Sequence, residues 1–363
     1  MKKISFRFRH SFFVRSFVIV FLLSLVSCSL DDANSSNNTE PTVIETSLGM
    51  FIVNEGNYYN GINGSLSYLG YSTETVTDSV FMKANGYSLG ATPNDIIIFD
   101  DRVFIPVTDD NIVWELDARS MRVVGKFTIP SPRKLVGAGE YIYVTSYTGK
   151  VYCISIYSET VKESEVVGSC LEDITYCNGY LYVCNAFNTD YTYNTNLIKM
   201  DTNLNKIKDI TVACNPSQLE TDYINVYLCS YGNYDDVKAQ VQCIDQDDKV
   251  EVIGNGAIMS YGYGMVYFID TDNMKYYKYD IETGQTTAFT TGNRIDYPAF
   301  ISVDPTDGEL FIGAYHFMEG SSWGDYNSPG YMVEYKADGT YVNTYNLGIS
   351  PRCAAHLCYW TWQ

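Results

Sequence analysis

The sequence predicts an all-β fold: a seven-bladed β-propeller of four-stranded blades, closed by the C-terminal strand joining the first blade. Three observations predict it. A unit of four short alternating strands recurs along the 363 residues at a spacing of roughly 40, the length of one propeller blade. The first unit opens on what reads as a second strand, Met50-Phe51-Ile52-Val53. Residues 351–359 read as a first strand with nothing after it. Joining the two ends completes one blade and removes two long exposed sheet edges. A pair of β-sandwiches or a β-helix would have neither feature.

The second unit shows the pattern most plainly. Pro93-Asn94-Asp95-Ile96-Ile97-Ile98-Phe99 leads to a turn at Asp100-Asp101 and then to Arg102-Val103-Phe104-Ile105-Pro106-Val107. A turn at residues 109–111 precedes Ile112-Val113-Trp114-Glu115-Leu116-Asp117, and Val123-Val124-Gly125-Lys126-Phe127 ends the unit. Apolar residues alternate, and Asp and Asn mark the turns. The third unit opens at Pro132, with Tyr141-Ile142-Tyr143-Val144 and Val151-Tyr152-Cys153-Ile154 as its middle strands. The fourth opens near Leu171, the fifth at Pro216, the sixth at Ala257 and the seventh at Pro298.

Composition excludes some partners. The net charge is −19 and only 18% of residues are charged. Such a surface repels nucleic acid and anionic lipid, so no nucleic-acid partner is expected. Tyrosine stands out at 33 residues; most suit half-buried strands, and those in loops suit a recognition surface. Ten cysteines include no C-x-x-C pair and no histidine at zinc-ligand spacing. Cys153, Cys184, Cys229 and Cys243 lie inside apolar strands, where a thiol acts as a small core hydrophobe. Cys353 and Cys358 are the leading candidates for a disulfide.

The N-terminus reads as an address. Lys2, Lys3, Arg7, Arg9 and Arg15 precede an apolar run at residues 16–26, the order of a secretory signal peptide. Leu25-Val26-Ser27-Cys28 resembles the lipobox of bacterial lipoproteins. The resemblance implies that residues 1–27 are removed and that Cys28 carries the lipid, the chain's only attachment to a membrane. Residues 28–47 are polar and read as a flexible tether, with the propeller at 48–363. Asp31-Asp32 is similar to the export signal of Bacteroidetes surface lipoproteins, which implies an outer-membrane anchor at the cell surface.

Candidate ligand residues come from loops that the repeat places on one face. Blade 1 offers Tyr58 and Tyr59; blade 3 offers Tyr147; blade 4 offers Phe187, Tyr191 and Tyr193; blade 5 offers Tyr231 and Tyr234. Blade 7 carries the longest insertion, 314–330, with Tyr315, His316, Phe317, Trp323 and Tyr326. Long loops of this composition favour adaptable recognition. Catalysis has little support. No G-x-S-x-G or H-E-x-x-H motif and no phosphate loop is present, and the paired acids sit in turns that favour Asp locally. The expectation is a protein that is not an enzyme, with no catalytic residue, no metal and no required cofactor. A lactonase-type hydrolase built on scattered carboxylates stays a minor alternative.

Phe51-Ile52-Val53-Asn54-Glu55-Gly56-Asn57, followed by Gly64-Ser65-Leu66-Ser67-Tyr68, resembles the opening blade of Bacteroidetes surface lipoproteins with a YncE-like propeller. One branch, the BtuG-type proteins, binds cobalamin (vitamin B12) and hands it to a TonB-dependent outer-membrane transporter. The resemblance implies a corrinoid as transported ligand and such a transporter as partner. The opening motif does not separate that branch from relatives of unknown ligand. An aromatic, amide-bearing rim suits a corrinoid's macrocycle and amide arms. It equally suits a glycan, and an accessory glycan-binding propeller is the second reading.

Overall fold

The computed structural model describes residues 43–289, 291 and 295–362. Within them the chain forms seven four-stranded antiparallel sheets, six with their strands in consecutive order and one that joins the last strand to the first three. Blade 1 runs Pro351–Trp362, Val43–Asn54, Ser65–Gly70, Thr75–Thr77 from inside to outside. The other blades begin at Ile97–Phe99, Pro132–Ala138, Cys170–Cys177, Pro216–Thr221, Ile258–Gly262 and Tyr297–Val303. The helical pieces are short: a turn at Tyr58–Asn60 and the helix Val80–Asn85.

Closure follows the expected route. Val43–Asn54 pairs antiparallel with Pro351–Trp362, from Val43↔Trp362 to Asn54↔Pro351. The strand therefore begins at Val43, inside the stretch read as tether. The physical reason is the partner: a twelve-residue closing strand offers backbone donors and acceptors as far as Val43, and an unpaired edge is costly. The signal peptide, Cys28 and the tether up to residue 42 lie outside the described residues. Among the described residues, no helix is long and apolar enough to cross a membrane.

The second strands are buried on both faces, as in Val226–Ser230 and Leu310–Tyr315. Each is covered by the blades on either side, which explains their nearly unbroken apolar runs. Outer strands such as Val161–Glu163 are exposed. The cores lie between blades: Tyr227, Cys229 and Val241 of blade 5 meet Met259, Val266 and Phe268 of blade 6. Cys153, Cys177 and Cys184 join similar clusters. All nine described cysteines are free. The pair Cys353 and Cys358 is thus not a disulfide. Five residues apart on one strand, they point to opposite faces: Cys353 Sγ meets Asn94 O at 3.7 Å and Cys358 Sγ meets Ser47 Oγ at 3.2 Å.

One recurring irregularity positions the site. The inner strand slips register just after its first residues: between Pro132 and Leu135, Leu171 and Ile174, Pro216 and Gln218, Pro298 and Phe300, and Pro351 and Cys353. Such bulges re-aim side chains. Proline is tolerated at or next to the first residue of a strand and at bulges. Side chains next to the slips tie blade to blade. Asp95 Oδ2 accepts from Leu135 N at 2.9 Å, Asp173 Oδ2 from Leu219 N at 2.9 Å, and Gln218 Oε1 from Met259 N at 3.0 Å.

Candidate functional site

Two connected hollows open where the inner strands begin. The larger is a cleft of about 1300 Å³ over blades 5 to 7. Its cause is loop length. The turn between the middle strands of blade 6 is short, spanning 271–274, whereas the neighbouring loops span 231–239 and 316–328. The low blade leaves a trough between two tall ones. Tyr231, Tyr234, Tyr276, Tyr297, Tyr315, Trp323 and Tyr326 line it, with Lys238, Asp272, Asp296 and Arg352.

The blade 7 wall is an aromatic cluster. Ring centroids lie 4.8 Å apart for Tyr315 and Tyr326, 6.0 Å for Tyr297 and Tyr315, and 6.3 Å for Tyr297 and Tyr326. Trp323 stays 63% exposed. On the other side Tyr234 is 73% exposed and has φ of 60°. Tyr191 is similar, 79% exposed with φ of 65°. Bulky residues in the left-handed region cost about 1–3 kcal/mol and collect at functional sites. Local bonds hold the Tyr234 loop: Asn233 Oδ1 accepts from Asp235 N at 3.0 Å and from Val237 N at 2.9 Å.

The second hollow, about 670 Å³, is the axial channel. Its wall carries Asp95, Lys134, Glu172, Asp173, Glu220 and Arg352. Lys134 Nζ donates to Asn94 O at 3.0 Å and Asp95 Oδ1 at 3.3 Å. Beside the wall, Arg133 Nη2 donates to Glu172 Oε2 at 3.0 Å, and the Tyr147 hydroxyl donates to the same carboxylate. The Arg133 guanidinium also stacks 4.4 Å above the Tyr147 ring. Burial pushes Asp173 up to about 7, with Lys134 opposing and Asp95 adding to the rise. Burial, then the nearby Asp173 charge, pushes Glu220 up to about 8. Among the described residues, no group of three or more His, Cys, Asp or Glu side chains is arranged to hold a metal ion.

The loop residues expected to meet a ligand divide five ways. Tyr315, Trp323 and Tyr326 line the cleft. Phe187, Tyr191 and Tyr193 line the channel, and Tyr231 and Tyr234 line both hollows. Tyr147 is tied up with Glu172 and packs edge-on against Phe187 at 5.7 Å. Tyr58, Tyr59 and His316 line neither hollow. Tyr58 and Tyr59 pack on each other at 5.8 Å, and their turn Tyr58–Asn60 is bonded through Asn57 and Asn60 to Asn327. His316 stacks on Tyr331 at 4.6 Å with Nδ1 3.5 Å from Asp296. Missed from the sequence were Asp296, Tyr297 and Tyr276, and every charged group of the channel. Some channel groups did have a signal, since Asp95, Lys134 and Arg352 each sit one or two residues after a proline at or just ahead of an inner strand, Pro93, Pro132 or Pro351.

The fold is a seven-bladed β-propeller whose recessed axial face is lined by aromatic and polar groups. The chain belongs to the family described as Domain of unknown function (DUF5074), whose model matches residues 48–232. No curated protein matches it. Solved structures similar to it share the fold at low identity. A quinonprotein alcohol dehydrogenase-like protein from Bacteroides thetaiotaomicron is 16% identical with a TM-score of 0.64, over 85% of this chain and 78% of that one. Apo AztD from Citrobacter koseri is 9% identical with a TM-score of 0.56, over 87% and 99%. Hydrazine synthase from Kuenenia stuttgartiensis is 16% identical with a TM-score of 0.54, over 68% and 77%.

Proposed function

We propose that this protein is a non-enzymatic, lipid-anchored capture protein of the outer-membrane surface, which takes a corrinoid into the cleft and passes it to a TonB-dependent transporter. The observation that carries the reading is the cleft's size together with its lining. At about 1300 Å³ it exceeds the roughly 300–1,000 Å³ of ordinary small-molecule pockets. A large ligand with a flat apolar body and polar arms fits such a space. The tyrosines offer ring faces and hydroxyls, while Lys238, Asp272 and Asp296 stand at the wall for amide groups. The opening-blade motif and Leu25-Val26-Ser27-Cys28 add support from the sequence.

The direct test is isothermal titration of the full chain with cyanocobalamin, repeated with Trp323→Ala and with Tyr326→Ala. Saturable binding weakened by both substitutions is expected; no heat and no retained colour on the purified protein would exclude tight corrinoid capture. The 63% exposure of Trp323 favours a glycan as second reading, because a free indole face stacks on sugar rings. A glycan-array signal that cyanocobalamin does not displace would favour that alternative.

A further inference from the structure

Arg352 stands where cleft and channel meet, and its side chain lines both. It is the bulged residue of the closing strand: Val53 pairs with Cys353 and Asn54 with Pro351, so Arg352 is skipped. Arg133 also lies in a register slip, that of blade 3. The two arginines are treated differently. Arg133 is neutralised by Glu172, with Nη2–Oε2 at 3.0 Å and Nε–Oε2 at 3.2 Å. Arg352 has one loose ion-pair partner, Glu55, whose Oε2 is 3.8 Å from Nε, while Tyr231, Tyr315 and Glu172 act on its charge without bonding to it. Among the described residues, neither Nη group makes a hydrogen bond. The side chain is 34% exposed, and Tyr231 and Tyr315 line the same cleft.

A planar fork of unused donors matches an oxyanion better than any neutral group. We propose that Arg352 is the anion anchor of this site, taking one phosphate or phosphodiester group of the ligand held in the cleft. The proposal rests on the cleft being the ligand site. The ligand is a large and mostly neutral molecule with a single such group. A chain of net charge −19 disfavours polyanions at long range, and one free guanidinium takes one oxyanion. Glu55 competes for the same fork and sets how tightly the anion is held.

The test uses the full chain as wild type, Arg352→Gln, Arg352→Lys and Glu55→Gln, with melting temperatures as folding control. Inorganic phosphate, followed by tryptophan fluorescence and calorimetry, is the first probe. Wild type binds it in a salt-sensitive way, Arg352→Gln weakens it by about tenfold or more, Arg352→Lys by less, and Glu55→Gln tightens it. A merely structural ion pair would instead lower the melting temperature in Glu55→Gln without tightening phosphate. Cyanocobalamin, which carries a phosphodiester, and dicyanocobinamide, which lacks one, are the second pair. Arg352→Gln weakens the first by about tenfold and leaves the second unchanged. Equal weakening of both corrinoids, or no phosphate binding by wild type, overturns the anchor. Phosphate binding without cyanocobalamin binding upholds the anchor and removes the corrinoid reading. Equal cyanocobalamin binding by wild type and Arg352→Gln, with no phosphate binding, does the reverse.

Discussion

The seam between blades 7 and 1 and the trough above blade 6 are built from the same four-stranded unit, yet they treat polar and aromatic groups in opposite ways. At the seam the His356 side chain is 8% exposed, and both ring nitrogens are used. Nε2 meets Ser302 Oγ at 2.9 Å; Nδ1 meets the Tyr71 hydroxyl at 2.7 Å and Asp304 Oδ2 at 3.4 Å. Ser47 Oγ donates to Asp304 Oδ1 at 2.9 Å, and Tyr71 stacks on Phe311 at 5.7 Å. The ends of the chain are thus held by a satisfied buried network, the kind whose loss is costly. In the trough, Trp323 and Tyr234 keep most of their surface in water and Arg352 has only a loose ion pair with Glu55 at 3.8 Å. Interactions that are complete hold the ring together; those left incomplete are what the proposed ligand would use.

The comparison can be broken most severely at the seam. Deleting residues 351–363 removes the inner strand of blade 1, and the whole domain should lose its cooperative thermal transition. An unchanged melting curve would count against closure through this strand. Next in size, His356→Ala should cost about 2–4 kcal/mol in denaturant unfolding while leaving the cleft lining intact. A loss below about 0.5 kcal/mol would mean the network does not hold the seam.

Two pH effects sharpen the contrast. Burial raises Asp304, but hydrogen bonds from His356 and Thr306 outweigh it and hold the carboxyl well below its usual range. A depressed folded pKa stabilises the fold above the unfolded value of about 3.9, and that contribution fades as pH falls through the folded value. Asp304→Asn should therefore flatten the acid limb of stability below about pH 4; a limb as steep as wild type would remove the assignment. Glu220 behaves oppositely. With its folded pKa raised to about 8 from an ordinary 4.5, stability declines as pH rises from the lower value through the higher one. Glu220→Gln should raise the melting temperature more at pH 8.5 than at pH 5 by roughly a few degrees, and an equal gain at both would argue against a buried ionising carboxyl. Smallest of all, Trp323→Ala should alter stability by less than about 0.5 kcal/mol while still reducing ligand affinity.

Much of the ring was legible because blade strands are short-range patterns. Alternation, turn residues and the proline at blade openings all act within a few neighbours, so seven units and their shared first blade could be read directly. The channel charges were hidden for a different reason. Lys134, Asp173 and Glu220 look like ordinary surface residues on inner strands, and only their convergence on one axis buries them. Tyr58 and Tyr59 share the composition of the cleft tyrosines but line neither hollow, and their turn is bonded through Asn57 and Asn60 to Asn327.

The sequence alone determined the number of blades, the route of closure and which loops are long, because each depends on local periodicity or on residue count. Tertiary structure decided which loops face one another across a gap, which arginine finds a carboxylate and which does not, and that His356 serves the seam. Those outcomes depend on distances between residues far apart in the chain, which are set only when seven sheets pack around a common axis.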